Sequence, residues 1–246
     1  MIKNGHPTNI DKLRPPNGRN GHLTVLDLRE DRFPSTIASQ TRQVYDLLAA
    51  VYPISTFLFH SRAHRRAVEI SGIRDGMRVL EVATGSGEMF RRLVKVNRNG
   101  HTLGLDLSPN MAAHTLRRAR RDFPSSFTHC QAVDARHLPF RDGAFDAVVS
   151  CYLLELLATD DIVRVISEFH RVLRPSGRLT LVLIGENANM FNRIYLKLGS
   201  LAPAFWGSQI DRRVPGMMAD HSFRILDEVT VRQSGYPSRV LSAVRA

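Results

Sequence analysis

Cysteine is scarce in this chain of 246 residues, which contains only Cys130 and Cys151. Both lie within or beside predicted strands, and no metal-ligand spacing surrounds them. The sequence therefore favours buried, reduced thiols and predicts neither a disulfide framework nor a metal site. No stretch approaches 18 uncharged apolar residues, so no transmembrane helix is expected, and the N-terminus lacks the apolar core of a secretory signal. We expect a soluble, cytoplasmic protein with one sizeable core.

Aromatic residues are also few, at 7% of the chain, and acids are outnumbered by bases, which gives a net charge of +11. Part of the positive charge falls in two clusters, Arg62–Arg66 and Arg117–Arg121. Such runs are typical of solvated helix faces, and they also suit an anionic membrane surface or nucleic-acid phosphates. Because no aromatic residues interleave the basic runs, a stacking platform for single-stranded nucleic acid is not predicted. Nucleic acid is the less favoured partner.

The most informative segment runs from Arg78 to Glu88. It consists of a short apolar strand with an acid near its end, followed by a tight turn of small residues. Gly85 and Gly87 can adopt positive φ and allow a ligand to approach the backbone. The residues that follow have helical spacing, and this unit of strand, glycine turn and helix is typical of nucleotide-type sites in doubly wound α/β folds. A second acid, Asp106, ends the next apolar run nineteen residues after Gly87, where an acid typically binds ribose hydroxyls.

This turn differs from the dinucleotide fingerprint, because its small residues are spaced Ala83-x-Gly85-x-Gly87 and Glu81 stands just before them. The turn contains no lysine or arginine, which makes a phosphate cradle an unfavoured interpretation. An acid at that position repels a pyrophosphate and suits an ammonium group. S-adenosylmethionine combines a cation, an amino acid and a ribose, and it is the cofactor we predict. The alternative is an ordinary strand-to-helix turn without a ligand.

Three further segments follow in order. The first is Ala132-Val133-Asp134-Ala135, with its acid 28 residues after Asp106; the second is the apolar strand from Ala144 to Ser150; the third is a helix that ends in Arg174-Pro175-Ser176-Gly177 before another apolar strand. With these segments in view, the chain resembles the Rossmann-like (class I) S-adenosylmethionine-dependent methyltransferases. It looks closest to the ubiquinone/menaquinone-biosynthesis branch, with its methyltransferase type 11 domain. The resemblance covers residues 42–185 well and the later residues loosely.

The resemblance implies an α/β fold, with a Rossmann-like seven-stranded, mostly parallel sheet that has one antiparallel strand and helices on both faces. It also implies a set of cofactor-binding residues: Glu81 for the ammonium end, Ala83, Gly85, Ser86 and Gly87 in the turn, Asp106 for the ribose, Leu107 and Met111 as walls for the adenine, Asp134 and Ala135 for the adenine amino edge, and Cys151 near the sulfonium. The family often has glycine at the position of Ala83. Three of these residues have plainer interpretations: Glu81 as a cap for backbone donors, Met111 as helix core and Cys151 as filler.

No catalytic residue is singled out by its spacing. Tyr152 and Glu155 follow the fourth strand, where the acceptor should lie, and Glu155 is as readily interpreted as a solvent-facing acid at a helix start. Further candidates come from the N-terminal helices, namely His60, His64 and Tyr45. The segment Ser150-Cys151-Tyr152-Leu153 lacks the N-P-P-[YF] signature of the methyltransferases that act on amide, adenine or cytosine amino groups.

Four regions are expected along the chain. Residues 1–35 form a mobile arm, residues 36–75 form lid helices, residues 76–185 form the cofactor-binding core, and residues 186–246 complete the sheet and the acceptor pocket. Within the core we predict strands at 78–82, 101–106, 127–133, 144–150 and 178–184, with helices at 87–97, 109–121 and 159–173. Ser108 and Pro109 suit the start of the second of these helices. The C-terminal part should contain a helix near 209–220 and strands at 224–231 and 238–244.

The leading functional hypothesis is a methyltransferase that acts on a small lipophilic acceptor, such as a quinone precursor or a phospholipid amine. Two alternatives stay open: an RNA methyltransferase, suggested by the net charge, and a non-catalytic protein that binds S-adenosylmethionine. A peripheral location at the inner membrane surface is compatible with the leading hypothesis.

Overall fold

The computed structural model describes residues 52–185, 210–233 and 236–246, with side chains from residue 61 onward and without that of Tyr236. The predicted N-terminal arm and the first lid helix, including Tyr45, lie outside these residues. The side chain of His60 also lies outside them. Within the described part of the chain, no helix is both long enough and apolar enough to cross a bilayer.

Helices and strands alternate along the described residues, as the sequence predicts. The helices are α1 (Tyr52–Ile70), α2 (Glu88–Val96), α3 (Pro109–Asp122), α4 (Thr159–Val172) and α5 (Val214–Asp220). The strands are β1 (Arg78–Val82), β2 (His101–Asp106), β3 (Phe127–Ala132), β4 (Phe145–Cys151), β5 (Leu173–Ile184), β6 (Phe223–Gln233) and β7 (Tyr236–Arg245). A short 3-10 helix, Leu154–Leu156, follows β4 and was not predicted.

The strands form one seven-stranded sheet in the order β3-β2-β1-β4-β5-β7-β6. The five strands from β3 to β5 pair in parallel, whereas β7 runs antiparallel to both of its neighbours. The predicted mostly parallel sheet with one antiparallel strand is therefore confirmed. This arrangement follows from the alternating strand and helix pattern, because a parallel pair requires a crossover connection and the crossover helix then covers a face of the sheet.

Helices cover both faces of the sheet, which is also confirmed. Alternate residues of each strand point to opposite faces, so Val79 packs with α1 and α2 while Leu80 and Val82 pack with α4 and α5. A further apolar cluster joins α2 to α3 on the first of these faces. The helices α1, α2 and α3 therefore form one layer, which we call the α1–α3 layer, and α4 and α5 lie on the opposite face.

The strand β5 begins five residues earlier than the sequence predicts. Its pairing with β4 jumps from Phe145↔Leu173 to Ala147↔Arg178, so residues 174–177 bulge out of the ladder. Ser176 there has a φ of 60°. The predicted proline/glycine turn is thus present as a bulge within one continuous strand.

Ser108 caps the N-terminus of α3, as its position in the sequence predicts. Its hydroxyl accepts a hydrogen bond from the backbone N–H of Met111 at 3.2 Å, and Pro109 is the first helical residue of α3. This prediction is confirmed. In the C-terminal part, the helix α5 is shorter than the predicted segment, and β6 and β7 each extend beyond their predicted bounds.

Candidate active site

The order of the strands reverses between β1 and β4, which are neighbours in the sheet. From β1 the chain moves through β2 to β3 on one side, and from β4 it moves to β5 on the other. In open α/β sheets the crevice at the carboxyl ends of two such strands is where ligands bind. Glu81 stands near the carboxyl end of β1, Asp106 ends β2, and Cys151 ends β4. The structure therefore brings these three predicted residues to one edge of the sheet.

The turn after β1 is held against the end of β2 by backbone hydrogen bonds. The N–H groups of Ala83 and Thr84 both donate to the carbonyl of Leu105, at 2.8 Å and 3.1 Å. Ala83 has a φ of 67°, in the left-handed region that favours glycine. Glycine would adopt this conformation without cost, whereas Ala83 adopts it with some backbone strain.

The helix α3 packs directly against this turn from outside. Thr115 donates its hydroxyl to the carbonyl of Gly85 at 3.4 Å, and Arg118 donates to the carbonyl of Ser86 at 2.7 Å. Gly87 has a φ of 76°, and a Cβ added there would lie 2.8 Å from the Thr115 hydroxyl oxygen. Only glycine fits both the conformation and the space at Gly87.

Glu81 is buried, with 1% of its surface exposed. Its Oε2 atom has no hydrogen-bond partner among the described residues. Burial, reinforced by the negative charge of Asp106, raises the pKa of Glu81 well above its ordinary range. The structure thus does not support the plainer interpretation of Glu81 as a cap for backbone donors.

Asp106 connects the carboxyl end of β2 to the glycine turn. Its Oδ2 accepts from the backbone N–H of Gly85 at 2.7 Å, and its Oδ1 accepts from the backbone N–H of Ser108 at 3.0 Å. Asp106 therefore holds both the turn after β1 and the start of α3.

Asp134 lies in the loop after β3 and is engaged by Arg136. The Arg136 guanidinium donates to both carboxylate oxygens, the shortest contact being 2.6 Å, and its backbone N–H donates to Oδ1 at 3.0 Å. Burial acts to raise the pKa of Asp134, but the hydrogen bonds and charge of Arg136 outweigh it, so the pKa lies below the ordinary value. Arg136 also pairs with Asp161 of α4 at 3.2 Å. No local sequence pattern indicates this arginine.

The other residues predicted to contact the cofactor differ in exposure. Met111 and Ser86 are buried, whereas Leu107 and Ala135 are partly exposed beside Asp106 and Asp134. Met111 packs as part of α3 with 1% of its surface exposed, which agrees with its plainer interpretation as helix core.

Tyr152 follows the end of β4 in an unusual backbone conformation. Its φ is 55°, which is rare for a bulky residue. Its backbone N–H donates to the carbonyl of Val182 at 2.8 Å, and its hydroxyl lies 2.7 Å from the hydroxyl of the buried Ser238 on β7. The ring of His64, a buried residue of α1, lies 6.1 Å from the Tyr152 ring. These contacts join α1, β4 and β7 beside Cys151. Ser238 was not among the predicted site residues because no local pattern indicates it.

Cys151 and Glu155 complete this edge. Burial, with the charges of Glu81 and Glu155, raises the pKa of the Cys151 thiol, so it is uncharged at neutral pH. Glu155 is buried, not solvent-facing as one interpretation of the sequence had it, and its Oε1 accepts from the backbone N–H of Ile184 at 2.5 Å. Burial, together with the charge of Asp211, raises the pKa of Glu155 to about 7. A carboxyl with this pKa can gain or lose a proton near neutral pH.

The fold and this edge define a Rossmann-like α/β domain with a nucleotide-type site. Comparison with known proteins narrows the class. Residues 79–177 match a family model described as "Methyltransferase domain". The chain is 34% identical over 139 residues to the demethylmenaquinone methyltransferase of Thermus thermophilus, covering 56% of this chain and 60% of that protein. It is 28% identical over 151 residues to the 2-phytyl-1,4-naphtoquinone methyltransferase of Nostoc sp., covering 59% and 65%.

Among solved structures, the N-methyltransferase NodS of Bradyrhizobium japonicum, in complex with S-adenosyl-L-homocysteine, is similar in fold. The TM-score is 0.65 at 14% identity, over 83% of this chain and 98% of that one. Residues 79–177 are therefore similar to a methyltransferase domain, and the chain shares the fold of the NodS methyltransferase. The matched part spans less than two thirds of the length of the Nostoc and Thermus relatives.

Proposed function

We propose that this protein is an S-adenosylmethionine-dependent methyltransferase that acts on a small lipophilic acceptor. The observation that carries the proposal is the buried carboxylate of Glu81, whose Oε2 has no hydrogen-bond partner among the described residues. A buried carboxylate without a partner is unfavourable, and the ammonium group of the cofactor is a partner of opposite charge. Asp106 lies at the end of the adjacent strand, where a carboxylate suits the two ribose hydroxyls. The residues present thus fit this cofactor.

We assign the cofactor contacts to Glu81, Ala83, Gly85, Ser86, Gly87, Asp106, Leu107, Met111, Asp134, Ala135 and Cys151. Asp134 would serve the adenine amino group, as the resemblance to the family implies, while Arg136 donates to the same carboxylate. Arg136 is then a positioning residue, because its guanidinium fixes the orientation of that carboxylate.

Bound at this edge, S-adenosylmethionine supplies a methyl group that is already activated by the positive sulfur. The protein has to align the acceptor and exclude water. Tyr152, fixed by Ser238 and by its bond to the Val182 carbonyl, is placed to orient an acceptor next to Cys151. Glu155, with a pKa of about 7, is the described carboxyl at this edge suited to take a proton from an acceptor near neutral pH.

The acceptor class rests on the names of the relatives. These name a demethylmenaquinone and a naphthoquinone with a phytyl chain as their acceptors. A long apolar chain leaves water for a bilayer. We therefore propose that the acceptor is a quinone precursor held in a membrane and that the protein contacts an anionic membrane surface reversibly.

Calorimetry tests the cofactor assignment directly. The full chain is titrated with S-adenosylmethionine, S-adenosylhomocysteine, NAD and ATP, and the melting temperature is measured with each. We expect the first two ligands to bind and to raise the melting temperature by mass action on the folded state. Tighter binding of NAD or ATP would show that the cofactor assignment is wrong.

Transfer of a labelled methyl group into fractionated cell extract tests the acceptor. Label in the lipid fraction supports the proposal, whereas label in RNA supports the RNA methyltransferase. Binding of S-adenosylmethionine without label in any fraction, across pH 6–9 and with added quinone precursor, supports a binding protein without catalysis.

A further inference from the structure

The two basic clusters lie in the same layer of helices. The described side chains of the α1–α3 layer, taken as residues 61–70, 88–98 and 109–122, include eleven arginines and lysines and three acids. The helices of the opposite face, α4 and α5, contain two arginines and four acids. Among the described residues, the net positive charge is thus concentrated on one face of the sheet. Spacing along the sequence could not show this, because it does not reveal which helices share a face.

Some of these cations are neutralised within the layer. The three acids, Glu69, Glu88 and Asp122, form ion pairs with five arginines: Arg66, Arg91, Arg92, Arg118 and Arg121. Six exposed cations have no acidic partner within 4.0 Å among the described residues: Arg62, Arg65, Lys95, Arg98, Arg117 and Arg120. These six form what we call the free basic set, and they are available to an external anion.

The described side chains of this layer, from residue 61 onward, include no exposed aromatic ring of the kind that recognises single-stranded nucleic acid. Among the described residues, the large hydrophobic side chains that are exposed are Val96 and Val163, and neither is aromatic. Phe123 is partly buried under the guanidinium of Arg98. Stacking on aromatic rings supplies much of the affinity for single strands. Val96 is exposed at the end of α2, between Lys95 and Arg98 in the sequence, and an exposed apolar residue beside cations suits a lipid headgroup region.

We infer that the α1–α3 layer is the face that docks on an anionic lipid surface. This inference rests on the proposed function in one respect: the lipophilic acceptor favours lipid over nucleic acid as the occupant. The helix α1 belongs to this layer, and its buried His64 lies beside Tyr152 at the end of β4. The acceptor side of the site therefore borders the layer that we propose to dock.

The test uses the full chain, without cofactor, and vesicles of phosphatidylcholine with or without phosphatidylglycerol. One variant carries Arg98→Gln, Arg117→Gln and Arg120→Gln. The matched control carries Arg141→Gln, Arg164→Gln and Arg213→Gln, which removes the same charge from exposed positions outside the layer, two of them on or beside the helices of the opposite face. Each arginine near an anionic surface contributes about fivefold to partitioning. We expect the layer variant to partition about a hundredfold less than the parent, and the control variant to change little.

Salt and competition complete the test. The parent should sediment with phosphatidylglycerol vesicles at low salt and be released from them at high salt. It should not sediment with vesicles of pure phosphatidylcholine. Three results would each overturn the inference. The parent could be absent from both vesicle pellets at low salt, or the control variant could lose as much binding as the layer variant. The third result is tighter binding of an RNA oligonucleotide than of the vesicles. Since cofactor binding is measured separately by calorimetry, a failure of docking is distinguishable from a failure of the proposed function.

Discussion

The carboxylate of Asp106 accepts a hydrogen bond from the backbone N–H of Gly85 at 2.7 Å. The end of β2 therefore holds the turn that follows β1. The group proposed to bind the ribose also shapes the backbone beside the cofactor. Ligand binding and local structure are coupled at this residue, so the two effects of a substitution have to be separated by experiment.

Replacement of Asp106 should lower both the affinity for the cofactor and the stability of the fold. The loss of stability should differ between two variants. Asp106→Ala leaves the N–H groups of Gly85 and Ser108 without their acceptor, which costs about 1–3 kcal/mol of stability. Asp106→Asn keeps one acceptor oxygen and should cost less. Both variants should lose about 2–4 kcal/mol of cofactor binding. Calorimetry and urea unfolding measure the two effects, and unchanged cofactor affinity in a folded Asp106→Asn protein would contradict the role proposed for Asp106.

Glu81→Gln should stabilise the free protein at neutral pH and weaken cofactor binding. The folded-state pKa of Glu81 is raised above the ordinary value of 4.5, so the unfolded chain loses this proton first and stability falls as the pH rises from about 4.5 to the raised pKa. Glutamine cannot ionise, and it removes that loss. The cofactor loses a charged partner, worth about 1.5–3 kcal/mol. A Glu81→Gln protein that binds the cofactor as tightly as the parent would rule out the contact.

Cofactor binding should release a proton in the pH range where free Glu81 is protonated. A cation beside the carboxylate favours its ionised form, which opposes the effect of burial. The affinity for S-adenosylmethionine should therefore rise with pH up to the raised pKa of Glu81. Titrations in two buffers with different ionisation enthalpies measure the released proton. Glu81→Gln is the control, and an equal proton release in that variant would assign it to another group.

Gly87→Ala should cost more stability than Gly76→Ala. Both glycines have positive φ, of 76° and 89°, so alanine is strained at either position by about 1–2 kcal/mol. A Cβ at Gly76 meets no atom within 4 Å, whereas one at Gly87 lies 2.8 Å from the Thr115 hydroxyl oxygen. The crowding should add about 1–3 kcal/mol. Urea unfolding of the two variants measures the difference. Equal losses of stability would show that α3 moves away from the added methyl group at little cost.

Glu155→Gln should flatten the dependence of stability on pH. The folded-state pKa of Glu155 is raised from 4.5 to about 7, so its contribution is fully present below pH 4.5 and is lost as the pH rises to about 7. The parent should lose at most about 3 kcal/mol across that range through this residue. Unfolding at pH 5 and pH 8 measures the loss for the parent and the variant. Substitution of the exposed Glu69 is the control, and a parallel pH dependence in parent and Glu155→Gln would contradict the prediction.

Most of the elements in the core were predictable because each is specified by neighbouring residues. The strand β1, the glycine turn and the N-cap Ser108 all depend on hydrophobic periodicity and on backbone preferences that act over a few positions. The bulge in β5 was harder to predict from the sequence, because Pro175 and Gly177 indicate a turn whether or not the strand continues on both sides of it. Pairing with β4 and not the local sequence extends β5 to Leu173.

The sequence by itself determined the α/β class, the parallel sheet and the positions of Glu81, Asp106 and Asp134 at or near the ends of successive strands, since these depend on local patterns. Only the tertiary structure decided that Glu155 is buried next to the Ile184 backbone, that Ser238 meets Tyr152, and that Arg136 holds Asp134. It alone decided that the two arginine clusters share one layer of helices. Burial, pKa and the charge of a face depend on groups that are distant along the chain, and such groups come together only when the sheet and its helices are packed.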